Sequence, residues 1–86
     1  MASDHITLYV LSTCPQCEAL RGLLTSCGIS FTTIEVDLLP DGERRHLMEE
    51  MRPHNPRKAF PVTVVNGKAI IGFHKDLILR ELGIGP

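Results

Sequence analysis

Residues Thr13-Cys14-Pro15-Gln16-Cys17 stand where an apolar, strand-like run passes into a helix-like run. Cys14 is predicted to cap this helix and Pro15 to occupy its first position, because proline lacks the N–H that would go unbonded there. Cys17 then falls in the first turn. The free N–H groups of Gln16 and Cys17 and the positive end of the helix dipole favour a thiolate at Cys14. The pattern predicts that Cys14 attacks a disulfide and that Cys17 resolves the mixed disulfide.

Two cysteines at this spacing also occur in zinc sites, which need about four ligands. The chain has no second Cys-x-x-Cys, so Cys27 and the four histidines would have to complete such a site. We therefore expect no bound metal. Cys27 continues the apolar stripe of Leu20, Leu23 and Leu24 along the helix, and we expect it to be a small buried side chain.

Length and composition limit the class of protein. The 86 residues suffice for one domain, residues 1–86, with a modest core. The net charge of −1 argues against binding to nucleic acid or a membrane surface. Residues 1–5 carry no basic region, and the apolar run Ile6–Leu11 is too short for a signal peptide or a membrane span, so we expect a cytoplasmic protein. In that reducing compartment, three cysteines indicate redox chemistry rather than structural disulfides.

Hydrophobic periodicity predicts the order β-α-β-α-β-β-α. The predicted strands are Ile6–Leu11, Ile29–Asp37, Val62–Val65 and Lys68–Ile71, and the predicted helices follow Cys14, span Gly42–Arg52 and span Lys75–Leu82. In the second helix, Leu47, Met48 and Met51 are expected to face the core. Asn66-Gly67 favours a type I′ hairpin turn, and Gly28 favours a left-handed helix end.

Three motifs stand in this order along the chain: the Cys-Pro-x-Cys after the first strand, the step Phe60-Pro61-Val62, and the run Ile71-Gly72-Phe73-His74-Lys75-Asp76-Leu77. In these motifs and in its order of elements, the sequence resembles a glutaredoxin of the thioredoxin fold, from about Ile6 to Leu82. The resemblance implies an α/β fold with a four-stranded mixed sheet flanked by helices. It also implies a cis-proline at Pro61 beside the active cysteine, and thiol-disulfide oxidoreductase activity.

The sequence departs from the family at several positions. Many members that use glutathione carry C-P-Y-C, a lysine shortly before the first cysteine, a T-V-P step and a second glycine. Here Gln16, Leu11-Ser12-Thr13, Phe60-Pro61 and Phe73 replace them. Gln16 and the run Gly72–Asp76 look more like the small redoxins that reduce class Ib ribonucleotide reductase, which take electrons in the manner of thioredoxin.

The resemblance also implies a set of substrate-binding residues: Pro15, Gln16, Lys58, Phe60, Pro61, Phe73 and Asp76. Arg57 and Lys58 occupy the region that meets a glutathione carboxylate, although a solvated basic pair is the alternative. Asp76 matches the residue that meets the glutathione amino group, or else is a charge at a helix N-terminus. Phe60 and Phe73 form either an apolar docking surface or part of the core.

Three functions remain open at this point. The favoured one is reduction of protein disulfides by both thiols. The others are glutathione-dependent deglutathionylation by Cys14 alone, and an iron–sulfur or metal carrier that joins two chains through Cys14. Cys17 favours the first, because the other two do not need it. The expected partners are a disulfide-containing protein and a reductant, which is a thioredoxin-reductase-like enzyme, a ferredoxin-linked reductase or glutathione as a co-substrate. We expect a monomer without a bound cofactor.

Overall fold

The computed structural model describes residues 6–83. The strands are β1 (Ile6–Val10), β2 (Thr32–Glu35), β3 (Val62–Val65) and β4 (Lys68–Ile71), and the helices are α1 (Pro15–Ser26), α2 (Asp41–Met51) and α3 (Lys75–Glu81). A short 3-10 helix, Val36–Leu38, follows β2. This order confirms the predicted β-α-β-α-β-β-α arrangement. No helix among these residues is long and apolar enough to cross a membrane.

The four strands form one mixed sheet in the order β2-β1-β3-β4. β1 runs parallel to β2, and both of the other neighbouring pairs are antiparallel. As a result, β1, β2 and β4 end at the same edge of the sheet, and β3 begins there. The chain between Val10 and Pro15, which carries the first thiol, leaves the sheet at this edge.

The main core lies between one face of the sheet and helices α1 and α3. Its buried side chains are Ile6, Leu8, Val10, Cys17, Leu20, Leu24, Val65, Ile70 and Ile78. The opposite face carries Tyr9 and is covered by α2, in which no residue is fully buried. Leu47, Met48 and Met51 are half-buried, so the expected inward face of α2 exists but is packed more loosely than α1.

The prediction of a strand over Ile29–Asp37 is wrong at both ends. β2 pairs with β1 only from Thr32 to Glu35, opposite Thr7 to Val10. β1 ends at Val10, so the chain beyond Glu35 has no strand to pair with. It turns instead into the 3-10 helix, in which Val36 is buried and Asp37 is exposed.

The prediction that Cys27 is buried is also wrong. α1 ends at Ser26, and Cys27 is its exposed C-cap. Gly28 adopts the predicted left-handed conformation, with a φ of +73°. The buried stripe of α1 therefore ends at Leu24 and does not continue to Cys27.

A buried hydroxyl on β3 gives a prediction about stability. Thr63 is fully buried, and its Oγ1 has no hydrogen-bond partner. Thr63→Val has nearly the same shape and removes this unpaired group, so we expect the free energy of unfolding to rise by about 1 kcal/mol. Chemical denaturation measures the change. Thr32→Val, at an exposed position of β2, is the control and should stay within about 0.5 kcal/mol. Destabilisation by Thr63→Val would contradict the prediction.

Candidate active site

Four chain segments meet at the sheet edge that carries the thiols. They are the loop that follows β1, the 3-10 helix after β2, the Phe60-Pro61 step before β3 and the turn after β4. The last two are tied together, because the backbone N–H of Gly72 donates to the Pro61 carbonyl at 2.8 Å. Gly72 has a φ of +85°, which favours glycine at this turn.

Cys14 caps α1 as predicted. Its backbone is extended, Pro15 follows in the first turn, and the Cys14 Sγ accepts a hydrogen bond from the Cys17 backbone N–H at 3.2 Å. Cys14 is half-buried, while Pro15 and Gln16 are exposed. The helix N-terminus thus offers an N–H donor and its dipole to a sulfur that a substrate can reach.

Cys17 lies behind Cys14 in a different environment. Only 1% of its surface is exposed, and it packs in the main core. Burial, together with the hydrogen bond and charge of Cys14, raises the pKa of the Cys17 thiol from 9.0 to about 11. The backbone amide of Leu11 acts in the opposite direction and lowers this pKa. Cys17 is therefore a sheltered, protonated thiol at neutral pH.

The Phe60-Pro61 peptide bond is cis, as the resemblance implied. Pro61 is buried, and Phe60 and Phe73 are half-buried rings that pack against the main core together with Cys14. Each ring therefore packs partly inward, as the core alternative predicted, and leaves part of its surface exposed to solvent. Their contact with a substrate stays a prediction.

The loop that leads to Phe60 is held by a buried asparagine that the sequence reasoning missed. Asn55 is 3% exposed; its Nδ2 donates to the Ala59 carbonyl at 2.7 Å, and its Oδ1 accepts from the Ala59 N–H at 2.9 Å. Lys58 lies within this clamp and has a φ of +53°. Asn55 stands between two prolines in the sequence, a context typical of a turn, and that was the available signal.

The two predicted glutathione contacts, Lys58 and Asp76, line two different surface grooves. Lys58 lines a groove together with Leu11, Arg45 and Phe60. Asp76 is exposed in the first turn of α3 and lines a second groove with His74 and Arg80 among others. Arg57 is exposed. Whether these residues bind a substrate stays a prediction.

An acidic residue that was predicted only as part of a strand also reaches the site. The Asp37 Oδ1 accepts from the Ser12 backbone N–H at 2.9 Å, and its Oδ2 accepts from the Ser12 hydroxyl at 2.5 Å. Both hydrogen bonds lower the pKa of Asp37; the bond from the Ser12 hydroxyl has the larger effect and the bond from the Ser12 N–H the smaller one. The sequence did offer a signal for this contact: Asp37 is an acidic residue that follows the predicted second strand, the neighbour of β1 in the sheet. Within residues 6–83, no cluster of three or more His, Cys, Asp or Glu side chains is placed to hold a metal ion.

The different environments of the two thiols predict their order of alkylation. We expect iodoacetamide at neutral pH to modify Cys14 well before Cys17, because Cys17 is buried and stays protonated up to a pKa of about 11. The experiment uses the Cys27→Ser variant, since the exposed third thiol would otherwise react as well. Peptide mass spectrometry gives the labelling of each site, and the denatured protein, in which both thiols should react alike, is the control. Equal rates in the folded protein would refute the assignment.

Comparisons with known proteins agree with this geometry. The family model for glutaredoxin matches residues 6–70. The chain is similar to the glutaredoxin-like protein NrdH of Salmonella typhimurium, with 32% identity over 87% of this chain and 85% of the relative. It is also similar to the crystal structure of a glutaredoxin from Methanosarcina mazei, with 40% identity and a TM-score of 0.84 over 92% of this chain and 78% of that one. The methanoredoxin of Methanosarcina acetivorans gives 39% identity and a TM-score of 0.83 over 92% and 84%.

The family match covers most of the chain, and the solved structures share the sheet and helices described above. These likenesses establish the α/β thioredoxin-like fold. They agree with a thiol oxidoreductase whose Cys-x-x-Cys motif is Cys14 and Cys17. The chain belongs to the glutaredoxin family.

Proposed function

We propose that this protein reduces disulfide bonds in other proteins by a dithiol mechanism, in which Cys14 attacks and Cys17 resolves. The observation that supports this most is the unequal placement of the two thiols. The Cys14 Sγ is held by the Cys17 N–H at the accessible start of α1, whereas the Cys17 side chain is buried directly behind it. A substrate therefore meets Cys14 first.

The reaction transfers two electrons in two exchanges. In the first, the Cys14 thiolate attacks one sulfur of the substrate disulfide; a mixed disulfide forms, and the other substrate sulfur leaves and takes up a proton. In the second, Cys17 loses its proton and attacks the Cys14 Sγ. The Cys14–Cys17 bond forms, the bond to the substrate breaks, and the second substrate thiol is released.

The first exchange itself prepares Cys17 for the second. In the reduced protein, the hydrogen bond and the charge of Cys14 both raise the pKa of Cys17. Once the Cys14 sulfur is part of a mixed disulfide, it no longer carries a charge, so this part of the effect is removed. The burial of Cys17 is unchanged, and it keeps this thiol from reacting with other molecules before the mixed disulfide forms.

We further propose that an enzyme, rather than glutathione, is the main reductant, and that the protein works in a reducing cytoplasm. Glutathione carries two carboxylates and an amino group, so tight binding needs charges at matching positions. Lys58 and Asp76 could supply two of them. The position before Cys14 that often holds a lysine is uncharged here, and Ser12 is already bonded to Asp37. The Phe73 ring occupies the place of a small residue. Losing one charged contact costs on the order of 1–3 kcal/mol, about ten- to a hundredfold in affinity.

Glutathione-dependent turnover through Cys14 alone is the second candidate. One observation favours it: Lys58 lines the same groove as Phe60, where a carboxylate of glutathione would find a cation beside the active edge. This candidate does not require Cys17.

The Cys17→Ser variant separates the two candidates. Under the dithiol mechanism it forms a mixed disulfide with a protein substrate that persists in the absence of glutathione, because the resolving thiol is gone. Non-reducing gel electrophoresis and intact-protein mass spectrometry detect the adduct, and the Cys27→Ser variant is the control that should release its substrate. If Cys17→Ser turns over a protein disulfide without glutathione, the dithiol mechanism is wrong. If wild type turns over with millimolar glutathione as fast as with any reductase, glutathione is the reductant.

A further inference from the structure

Two surface grooves lie side by side along helix α2 and reach the active edge. The first has a volume of about 450 Å³ and includes Leu11 and Phe60, which belong to two of the segments that form this edge. The second borders the first and extends to Arg52, at the end of the helix. Both grooves are lined by the same three side chains: Arg45, Met48 and Lys58. The two grooves therefore form one continuous surface, which we call the α2 track.

Most charged side chains of the α2 track are held by other groups of the protein. The Arg44 guanidinium donates to the Asp41 Oδ1 at 2.7 Å, and the Arg52 guanidinium lies 3.2 Å from an oxygen of Glu49. The remaining carboxylate of the track, Asp37, accepts its two hydrogen bonds from the loop after β1. Each acidic side chain of the track is thus engaged, and none is left to pair with a further cation.

Two cations of the α2 track stay unpaired. The side chains of Arg45 and Lys58 are exposed, and among the residues that the structure describes no carboxylate lies within ion-pair distance of either. Arg45 is carried by a helix, and Lys58 by the loop that the Asn55 clamp holds, so the backbone of each is fixed. Met48 and Phe60 place apolar surface beside them. This arrangement is complementary to a chain segment with acidic side chains and an apolar one.

The length of the α2 track favours a protein segment over a small thiol. From Asp41 to Arg52 the track follows about 16 Å of helix. A tripeptide such as glutathione spans at most about 11 Å when fully extended, whereas about five extended residues cover the whole track. The residues that flank a protein disulfide at Cys14 can follow the track, because it starts at the same edge of the sheet.

We propose that the α2 track binds an acidic segment that flanks the target disulfide of a protein substrate, with carboxylates of that segment at Arg45 and Lys58. This inference rests on the proposed function and narrows its substrate class: disulfides with neighbouring Asp or Glu residues are favoured over those with neutral or basic neighbours. The contacts act while the substrate is brought to Cys14, before any bond changes. Exposed ion pairs are individually weak, so the two cations are expected to produce a preference rather than an absolute requirement.

Peptides with a chromogenic disulfide measure this preference. Each contains one cysteine joined to thionitrobenzoate, and an Asp-Glu pair is moved along the peptide one position at a time; matched peptides carry the amides or a lysine pair instead. In a Cys17→Ser, Cys27→Ser background, the Cys14 thiolate attacks the peptide sulfur, the Cys14–peptide disulfide forms, and the thionitrobenzoate anion leaves and is followed by its absorbance. Each rate is divided by the rate of the same peptide with mercaptoethanol, which cancels the intrinsic reactivity of the peptide.

The best acidic peptide should react about three- to tenfold faster than its amide counterpart at low salt. The difference should fade at about 1 M salt, where the Debye length is only about 3 Å. Arg45→Gln and Lys58→Gln should each lower this ratio by about two- to threefold, and the double variant should bring it to about one. Arg45→Lys should retain most of the preference, and Arg45→Glu should shift it towards the lysine peptide. A ratio that the double variant leaves at the wild-type value would overturn the proposal.

Arg44→Gln and Arg52→Gln are the matched controls. Each removes one positive charge from the same track, but the guanidinium it removes is already paired with Asp41 or Glu49. Both variants should keep the ratio of the acidic to the amide rate within about twofold of wild type. A loss as large as that caused by Arg45→Gln would show that the net charge of this surface attracts the peptide, and the α2 track as a specific site would be wrong.

Further outcomes separate the source of the carboxylates and the two proposals. Glutathione joined to thionitrobenzoate also carries carboxylates; if Arg45→Gln slows its reaction as much as that of the acidic peptide, the track serves glutathione and the inference is wrong. The measured step is attack by Cys14, which both candidate mechanisms share. Equal rates for acidic and amide peptides would overturn the acidic segment and leave the dithiol mechanism standing. No reaction with any peptide would overturn the proposed function, and this inference with it.

Discussion

Replacing Cys14 by serine is expected to reduce disulfide exchange to the uncatalysed background, a loss on the order of a thousandfold or more. A serine oxygen cannot form the mixed disulfide, so the first exchange does not take place. Cys17 cannot substitute for Cys14 at neutral pH, because it is 1% exposed and has a pKa of about 11. The rate of reduction of a protein disulfide, followed with an excess of reductant, measures the effect.

Two comparisons make the Cys14→Ser result specific. Cys27→Ser should keep the full rate, because Cys27 lies at the other end of α1. Any residual activity of Cys14→Ser should rise as the pH approaches 11, where Cys17 begins to ionise. A residual rate above about a tenth of wild type at neutral pH would show that another thiol attacks the substrate.

The second large effect is expected at Asn55, which holds the loop before Phe60. Asn55→Ala removes two hydrogen bonds from a buried side chain and leaves the N–H and carbonyl of Ala59 without these partners. Each group left unpaired costs about 1–3 kcal/mol, so we expect the free energy of unfolding to fall by about 2–4 kcal/mol. Chemical denaturation at a fixed pH measures it.

An exposed neighbour in the same loop provides the control for Asn55. Arg57→Ala should change the free energy of unfolding by less than about 0.5 kcal/mol, because Arg57 is exposed. Asn55→Asp should destabilise the protein at least as much as Asn55→Ala, because one oxygen of its buried carboxylate would face the Ala59 carbonyl. An Asn55→Ala protein as stable as Arg57→Ala would show that the clamp contributes little.

The parts of the fold that depend on local chemistry could be predicted from the sequence. Pro15 after a capping cysteine fixed the start of α1, and the positive φ of Asn66 and Gly67 fits the predicted hairpin turn. The cis bond at Pro61 followed from the family resemblance and is present. In these cases the residue types themselves restrict the backbone, so neighbours in sequence carry the information.

The parts that depend on where another segment ends could not be predicted in this way. Alternating side chains extended the second strand to Asp37, but pairing stops where β1 stops, at Val10. Only then does Asp37 meet Ser12, 25 residues away in sequence. The prediction that Cys27 is buried was wrong for a related reason: it extended the apolar stripe of α1 beyond Ser26, where the helix ends. The clamp of Asn55 likewise needs the three-dimensional course of its loop.

The position of Cys27 limits which disulfide isomers the monomer can form. α1 has 12 residues, so about 18 Å of helix separates its C-terminal cap from Cys14. About 15 Å of the same helix separates Cys27 from Cys17. Bridged cysteines have Cα atoms no more than about 7 Å apart, so Cys27 can pair with neither Cys14 nor Cys17 in the folded chain. Oxidation within one molecule therefore leads from Cys14 to a single partner, Cys17. The folded chain therefore has one fully reduced form and one oxidised form, and the two differ by two electrons. No isomer with a different disulfide forms within the chain.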